Sequence, residues 1–214
     1  MYANRSEAGR ALADRMAARQ WPAPVLVIAL PRGGVPVAAE VARRLGAPLD
    51  LAIVRKIGVP WQPELAMAAL MDGNPPELVI DEAIRTSCGV DIAEIEQLAQ
   101  AERPEIERRR RLYLGGRAPL PVRGHTVIVV DDGLATGTTA RAALRALRRQ
   151  GPARLVLAVP VAPAETLAAL RAEADELICL QQPSPFRAVG AHYADFHQVP
   201  DDEVLAAMRE AQAP

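Results

Sequence analysis

The stretch TVIVVDDGLATGTTARAALRAL, which runs from Thr126 to Leu147, decides the fold of this chain. Its β-branched segment from Val127 to Val130 is typical of a buried strand, and its alanine- and leucine-rich end has helical spacing. Two adjacent carboxylates and a turn rich in glycine and threonine lie between them. In an open parallel sheet, ligands bind beyond the carboxyl ends of the strands. The stretch therefore predicts a ligand site between this strand and the following helix.

The turn has the composition of a phosphate-binding loop. A helix that begins near Thr138 offers unpaired amides and the positive end of its dipole, and Gly137 lets the backbone approach an anion closely. The carboxylates of Asp131 and Asp132 would repel a phosphate, so they are expected to bind sugar hydroxyls or the water shell of a magnesium ion. The ligand should then carry a sugar between its charges. The simpler alternative is an ordinary turn in which Asp132 or Thr138 caps the helix.

Short apolar runs alternate with helical segments along the chain, which predicts repeated βα units and an α/β fold. We expect a Rossmann-like parallel sheet flanked by helices, with residues 1–182 as the core and residues 183–214 as a small C-terminal cap of the same domain. The predicted strands are Val25–Leu30, Leu49–Val54, Thr126–Val130, Leu155–Pro160 and Glu176–Leu180, and the predicted helices are Arg5–Arg19, Pro36–Leu45, Ile92–Leu114, Thr139–Arg149, Ala164–Ala174 and Asp201–Glu210. Residues 55–77 are expected to form a long loop around one short helical run, ELAMAALM.

The composition excludes several classes of protein. Half of the 214 residues are apolar and 25 basic residues nearly balance 26 acidic ones, so the chain is neither disordered nor a binder of polyanions by bulk charge. We therefore expect no nucleic acid partner. No apolar run approaches the ~20 residues of a membrane span, which predicts a cytoplasmic protein without membrane association. Cys88 and Cys179 lack cysteine or histidine partners at ligand spacing, so no zinc site or disulfide framework is predicted.

Four consecutive arginines, Arg108 to Arg111, fall on a predicted helix. On a helix they point in four directions, so they cannot form one binding face. Glutamates stand four residues before two of them, at Glu105 and Glu107. This spacing favours a solvated, salt-bridged helix over the alternative of an anion site.

A second segment, VIALPRGGVPVAAEVARRL, places a strand before Arg32, Gly33 and Gly34 and a helix after them. The glycines expose backbone amides and the arginine supplies a forked cation, so the turn suits a pyrophosphate group. The alternative is a turn with a purely structural role.

The first stretch, VIVVDDGLATGTT, resembles the signature of the type I phosphoribosyltransferases, which bind phosphoribosyl pyrophosphate (PRPP). The PRGG segment is similar to the pyrophosphate loop of that family, and the Arg55–Lys56 pair resembles the start of its flexible catalytic loop. Other segments, from EAGRALA near the start to AVGAHYADFHQV near the end, extend the resemblance over nearly the whole chain. The PRPP-binding residues that it implies are Arg32, Gly33, Gly34, Arg55, Lys56, Asp131, Asp132, Ala135, Thr136, Gly137, Thr138 and Thr139.

By this resemblance, the two aspartates hold the 2′ and 3′ hydroxyls of the ribose and contact Mg²⁺ directly or through water, and the loop after them holds the 5′-phosphate. Arg32 and Lys56 are the implied catalytic residues, because they neutralise the departing pyrophosphate. A mobile segment from Ile57 to Asn74 would exclude water when it closes. Relatives with this pyrophosphate loop often have a cis peptide bond before the arginine, here between Pro31 and Arg32.

The reaction implied is the Mg²⁺-dependent transfer of ribose 5-phosphate from PRPP to a nitrogen acceptor, such as a nucleobase in nucleotide salvage, with release of pyrophosphate. A homodimer is one assembly that the resemblance allows. The alternative function is a noncatalytic, PRPP-sensing regulator on the same fold. Such regulators usually bind a partner through a basic surface, which the net charge of −1 does not favour.

The acceptor is where this sequence departs from the family pattern. Ala135 stands where salvage enzymes for hypoxanthine, guanine or xanthine have an aspartate, and Arg145 stands where adenine-specific relatives have a glutamate. No residue that exchanges a proton with the base is therefore identified. Phe186 and Tyr193 of the cap are candidates for stacking on a base, with packing of the cap as the alternative.

Overall fold

The computed structural model describes residues 1–22, 24–73 and 75–212, within which the chain forms seven α-helices and eight strands. A short 3-10 turn spans Val189–His192. In chain order the elements are α1 (Arg5–Ala17), β1 (Val25–Ala29), α2 (Gly34–Leu45), β2 (Leu49–Leu51), β3 (Val54–Val59), β4 (Gln62–Met71), β5 (Glu77–Ile80), α3 (Glu82–Cys88), α4 (Ile92–Leu114), β6 (Thr126–Val130), α5 (Thr138–Arg149), β7 (Arg154–Val161), α6 (Ala164–Leu170), β8 (Glu176–Gln181) and α7 (Asp201–Gln212).

Strands β1 and β6 lie inside a five-stranded parallel sheet with the order β2-β1-β6-β7-β8. They pair in register from Val25 with Thr126 to Ala29 with Val130. Alternate residues of β6 enter two apolar clusters, one with α1, α2 and α7 and the other with α5 and α6. The strand is therefore buried on both faces, which explains its continuous apolar run. The predicted α/β fold with a parallel sheet is confirmed.

The predicted helices are all present, with shifts at their ends. α1 ends at Ala17 instead of Arg19, and α6 ends at Leu170 instead of Ala174. α2 ends at a left-handed Gly46 with φ of 60°, a conformation that favours glycine. Helix α3, a short element in the described chain, was not predicted.

The prediction for residues 55–77 was wrong. Instead of a loop with one helical run, β3, β4 and β5 form a separate antiparallel sheet, and the segment ELAMAALM lies in β4. Residues 67–71 are buried and contribute to both apolar clusters, because α4 and α5 also pack against this small sheet. A strand buried on both faces lacks polar alternation, so its pattern resembles that of a buried helix. Asn74, the last residue of the predicted mobile segment, lies outside the described residues.

The arginine run on α4 is salt-bridged, as predicted. Arg108 and Arg109 both bond Glu105, and Arg111 pairs with a glutamate one turn before it. Arg110 instead reaches Asp72 at the end of β4, with 3.1 Å between Nη1 and Oδ1. Burial raises the pKa of Asp72, and the Arg110 guanidinium opposes this rise. One arginine of the run therefore joins α4 to the small sheet.

The predicted cap consists of two parts within its described range. Residues 183–199 are irregular and contact the acidic end of β6 through Val189 and Tyr193. The N-terminus runs beside this segment, because Tyr2 exchanges backbone hydrogen bonds with His192 and Ala194. Helix α7 packs against α2 and α4. Residues 213–214 of the predicted cap lie outside the description, and none of the described helices is long and apolar enough to cross a bilayer.

Asp50 on β2 fixes the connection between α4 and β6. Its buried carboxylate accepts hydrogen bonds from Arg117 and from the Leu120 amide, at 2.9 and 2.6 Å. We expect Asp50→Ala to lower the free energy of unfolding by about 3 kcal/mol, because it removes the carboxylate that accepts from the Leu120 amide and pairs with the Arg117 guanidinium. Urea denaturation measures this change. Glu107→Ala, which removes an exposed ion pair, should cost less than about 0.5 kcal/mol, and similar losses in both variants would contradict the prediction.

Candidate active site

The loops that follow β1 and β6 touch each other at two glycines. A Cβ atom at Gly33 would lie 2.1 Å from Oδ2 of Asp132, and one at Gly34 would lie 2.8 Å from the Val130 carbonyl oxygen. No side chain fits at either position, so glycine is needed here for space. The Pro31–Arg32 peptide bond is cis, as the resemblance implied. The predicted pyrophosphate loop and the predicted ribose-binding carboxylates therefore form one site.

The two carboxylates are not equivalent. Asp132 is buried, and its Oδ2 accepts a hydrogen bond from Arg5 Nε at 2.7 Å, whereas Asp131 is half-buried and accepts one from the Asp132 amide at 2.9 Å. Burial raises the pKa of Asp131 well above its ordinary value, and the neighbouring Asp132 raises it further. Burial also raises the pKa of Asp132, but the Arg5 guanidinium opposes this rise. The site therefore disfavours the state in which both carboxylates are charged.

Arg5 is the site residue that the sequence reasoning missed. It is 7% exposed and bonds a residue 127 positions away, so no local motif connects the two. One signal was available, because Arg5 is the first residue of α1 and a cation there opposes the helix dipole. A basic residue in this position indicates that a partner elsewhere compensates for it.

The predicted phosphate loop has the expected geometry. Gly137 adopts φ of 71° and immediately precedes α5, whose first helical bond runs from the Arg141 amide to the Gly137 carbonyl at 2.8 Å. The amides of residues 138–140 therefore have no partner within the helix. The hydroxyls of Thr136 and Thr138 lie 3.1 Å apart at the loop entrance. This end of α5 presents amide and hydroxyl donors that suit a phosphate.

Helix α6 supports this loop from outside. The Thr166 hydroxyl donates to the Ala135 carbonyl at 2.6 Å, and a Cβ atom at Gly137 would meet the Thr166 methyl group at 2.8 Å. Thr139, the last predicted residue of the loop, is half-buried in the first turn of α5. The loop conformation is therefore fixed by packing as well as by its own glycine.

Arg32 lies on the pyrophosphate loop and extends towards the start of α7. Its Nη1 is 3.7 Å from Oδ1 of Asp201, which also accepts a hydrogen bond from the Tyr113 hydroxyl. Burial and the Asp201 carboxylate together raise the pKa of Tyr113 to about 12. The side chain of Arg32 remains 31% exposed, so its guanidinium is accessible to an anionic ligand.

Arg55 and Lys56 are adjacent in β3 and therefore lie on opposite faces of it. Arg55 forms an ion pair with Glu102 on α4, with 2.6 Å between Nε and Oε2. Lys56 is exposed, and the structure records no ion pair for it among the described residues. Of the two predicted cations, Lys56 is the one that is available to a ligand.

The two aromatic candidates for base binding have different environments. Tyr193 is buried against Tyr2 and Phe196, and its hydroxyl donates to the Asp132 carbonyl. Burial raises the pKa of Tyr193. The Tyr193 ring has no open face on which a base could stack. The base-stacking prediction was therefore wrong for Tyr193, whose ring packs the cap against the rest of the protein. Phe186 is half-buried and stacked on His192, with 5.5 Å between ring centres.

The donor set fits a magnesium ion that arrives with its substrate. The described residues contain no group of three or more histidine, cysteine or acidic side chains that could hold a metal ion. Asp131 and Asp132 offer carboxylate oxygens, and Mg²⁺ is commonly held by one or two carboxylates together with substrate phosphates and water. The residues present therefore suit a metal whose remaining ligands are phosphate oxygens.

The family model for the phosphoribosyl transferase domain matches residues 4–195. The chain belongs to this family. Two Mycobacterium tuberculosis proteins, from strains CDC 1551 and H37Rv, are provisionally named phosphoribosyl transferases, and each is 43% identical over 211 residues. The match covers 99% of this chain but 47% of theirs, so the chain spans about half the length of these curated relatives. The family and the relatives' names agree with the predicted enzyme class.

A solved structure supports the fold over the full chain. The crystal structure of TT1426 from Thermus thermophilus is 41% identical and superposes with a TM-score of 0.87, and the match covers 99% of both chains. The superposition includes both the parallel sheet and the small antiparallel sheet, because it covers almost every residue of the two chains.

The unequal environments of the carboxylates predict opposite effects on stability. Asp132→Ala should lower the free energy of unfolding by about 3 kcal/mol, because it removes the acceptor of the buried Arg5 guanidinium and leaves that cation unpaired. Asp131→Asn should leave stability unchanged or raise it at neutral pH, because the raised pKa means that the charged form destabilises the fold there. This advantage should disappear below about pH 4, where the carboxyl is protonated in both states. Urea denaturation at both pH values measures these effects, and equal losses would contradict them.

Proposed function

We propose that this protein is a phosphoribosyltransferase that transfers ribose 5-phosphate from PRPP to a nitrogen acceptor and releases pyrophosphate with the help of Mg²⁺. The observation that carries this proposal is the contact of Gly33 with Asp132 and of Gly34 with the end of β6, at the edge of the sheet where the phosphate loop also begins. A PRPP molecule has a 5′-phosphate, two ribose hydroxyls and a pyrophosphate. The three parts of the site match these groups.

Each part would bind its group by ordinary hydrogen bonding. The amides at the start of α5 and the threonine hydroxyls would donate to the 5′-phosphate. The carboxylates of Asp131 and Asp132 would accept from the ribose hydroxyls. The amides of Arg32 and Gly33 and the guanidinium of Arg32 would donate to the pyrophosphate, whereas the Gly34 amide already donates to the Leu30 carbonyl at 3.0 Å. Holding both ends of the molecule fixes C1 of the ribose between them.

The reaction would be a substitution at this carbon. The acceptor nitrogen donates an electron pair to C1 as the bond from C1 to the pyrophosphate oxygen breaks, and the pyrophosphate leaves with that electron pair. Negative charge develops on the leaving oxygen, where Arg32 and Lys56 would stabilise it. When bound, Mg²⁺ would supply further neutralisation of the pyrophosphate.

The acceptor must also lose its proton, and neither of the two positions where relatives carry a proton-exchanging acid has one here. Ala135 has no side-chain base, and Arg145 is occupied in an ion pair with Glu173, with 2.7 Å between Nη2 and Oε1. An acceptor that is already nucleophilic, or one that loses its proton to solvent, suits this arrangement best. We therefore propose a nucleobase or another ring nitrogen as the acceptor class.

The β3–β4 hairpin would close over the bound substrate through its exposed turn, in place of the irregular loop that was expected. It carries Lys56 on one strand and Trp61 at its turn, and the Trp61 side chain is 65% exposed. Register shifts on either side of Gly58 interrupt the pairing midway along the hairpin. Closure would bring Lys56 to the pyrophosphate and exclude water, which competes with the acceptor for C1.

The decisive experiment is a screen of bases and amines for pyrophosphate release that depends on both PRPP and Mg²⁺. We expect at least one ring-nitrogen acceptor to give release, with the ribosylated product detected by mass spectrometry. PRPP binding without release for any acceptor would favour the noncatalytic regulator. No PRPP binding would contradict the proposed function itself.

Lys56 should act mainly in the transition state, because it reaches the pyrophosphate only as the hairpin closes and charge develops. We expect Lys56→Ala to lower kcat by at least about tenfold and to raise KM for PRPP by less than about threefold. Steady-state kinetics with the acceptor from the screen measures both values. Arg111→Ala, which removes an exposed cation from α4, is the control. An unchanged kcat would remove Lys56 from the mechanism.

Asp132 should contribute directly to PRPP binding. We expect Asp132→Asn to weaken the binding of PRPP with Mg²⁺ by about tenfold, because it removes a charged acceptor of a ribose hydroxyl. Glu105→Ala, on the exposed side of α4, should change the affinity by less than about twofold. Titration calorimetry under conditions where both variants are folded measures the difference. Equal affinity of the wild type and Asp132→Asn would rule out this ribose contact.

A further inference from the structure

Arg5 lies where three parts of the chain meet at the acidic end of β6. Its Nε donates to Asp132 Oδ2 at 2.7 Å, and its Nη1 donates to the His197 carbonyl at 2.8 Å. The guanidinium carbon also lies 4.0 Å from the centre of the Phe196 ring. One buried side chain therefore connects the N-terminal helix, a predicted ribose-binding carboxylate and the cap.

These contacts fix the backbone carbonyl and one carboxylate oxygen of Asp132 but not its other carboxylate oxygen. Tyr193 holds its backbone carbonyl, Gly33 packs against its carboxylate, and Arg5 occupies Oδ2. Among the described residues, the structure records no N–H donor to Oδ1, and the Asp132 side chain is 13% exposed. Arg5 holds Oδ2, and Oδ1 remains available to a ligand.

We propose that Arg5 is a positioning residue that orients the Asp132 carboxylate towards a ribose hydroxyl of the substrate. The inference rests on the proposed function, because it assigns the ligand of Oδ1 to PRPP. It adds a residue from the first helix, outside the motifs that carry the resemblance. Arg5 does not touch the substrate in this arrangement and acts only through Asp132.

Arginine suits this role better than lysine. Its planar group donates in two fixed directions and presents a flat face to an aromatic ring, so a single side chain makes all three contacts. A carboxylate oriented before the ligand arrives loses less freedom on binding, which favours affinity. Without the guanidinium, the carboxylate of Asp132 would have no cation to hold its orientation.

The test compares two ligands that use different parts of the site. PRPP with Mg²⁺ contains the ribose hydroxyls, whereas inorganic pyrophosphate with Mg²⁺ lacks them and uses the Arg32 loop. We expect Arg5→Gln to weaken PRPP binding by about tenfold and pyrophosphate binding by less than about twofold. Arg5→Lys keeps a cation beside Asp132 and should recover part of the loss. The matched control is Arg10→Gln, which changes an exposed arginine on the same helix.

A double variant shows whether Arg5 acts through Asp132. Arg5→Gln combined with Asp132→Asn removes both buried charges, so it avoids the unpaired charge of either single variant. We expect its loss of PRPP affinity to match that of Asp132→Asn alone instead of the product of the two losses. Thermal unfolding of every variant shows separately how much stability each one loses.

The outcomes separate this inference from the proposed function. If the wild type binds PRPP but Arg5→Gln binds it equally well, the positioning role is overturned and the proposed function stands. Multiplicative losses in the double variant, or equal losses for PRPP and pyrophosphate, would also overturn it, because they indicate a general structural role. If the wild type does not bind PRPP, the proposed function fails, and the inference fails with it.

Discussion

The close contact between the ends of β1 and β6 is the constraint on which the rest of the site depends. Gly33 and Gly34 have no side chains, and any Cβ atom there would overlap Asp132 or the backbone of β6. This close approach brings together two loops from neighbouring parallel strands at the open edge of the sheet, which is where ligands bind in such folds. The contact also fixes the distance between the predicted pyrophosphate loop and the two carboxylates.

The same closeness creates an electrostatic problem that distant parts of the chain relieve. Two adjacent carboxylates are partly shielded from water, and burial raises the pKa of both. Arg5 compensates for one carboxylate, and Tyr193 holds the backbone beside it. The second carboxylate, Asp131, remains uncompensated within the described protein. In the proposed function, a ligand that supplies hydroxyl donors or a metal ion would stabilise this carboxylate, whose charged form is disfavoured in the protein alone.

The cations of the site differ in how firmly they are held. Arg32 lies on the loop after β1 and shares Asp201 with Tyr113. Lys56 lies on a hairpin outside the main sheet, and its neighbour Arg55 is tied to α4. In the proposed reaction, Arg32 would be in place before the substrate binds, and Lys56 would reach the substrate when the hairpin turn closes. In the proposed reaction, movement of the exposed turn of this hairpin, residues 60–63, would control the access of water, because the strands on either side of the turn are packed in the core.

The sequence by itself determined the strand–turn–helix segments, including the glycine turn before α5 that is the predicted phosphate loop, because glycine positions and apolar runs act over a few residues. It predicted the parallel sheet for the same reason. It did not determine that ELAMAALM is a strand, since burial on both faces erased the alternation that marks one. Nor did it determine the partners of Arg5 and Arg55, which lie 127 and 47 positions away. Only the tertiary structure brings such residues together, because packing, rather than local spacing, decides which charges meet in the interior.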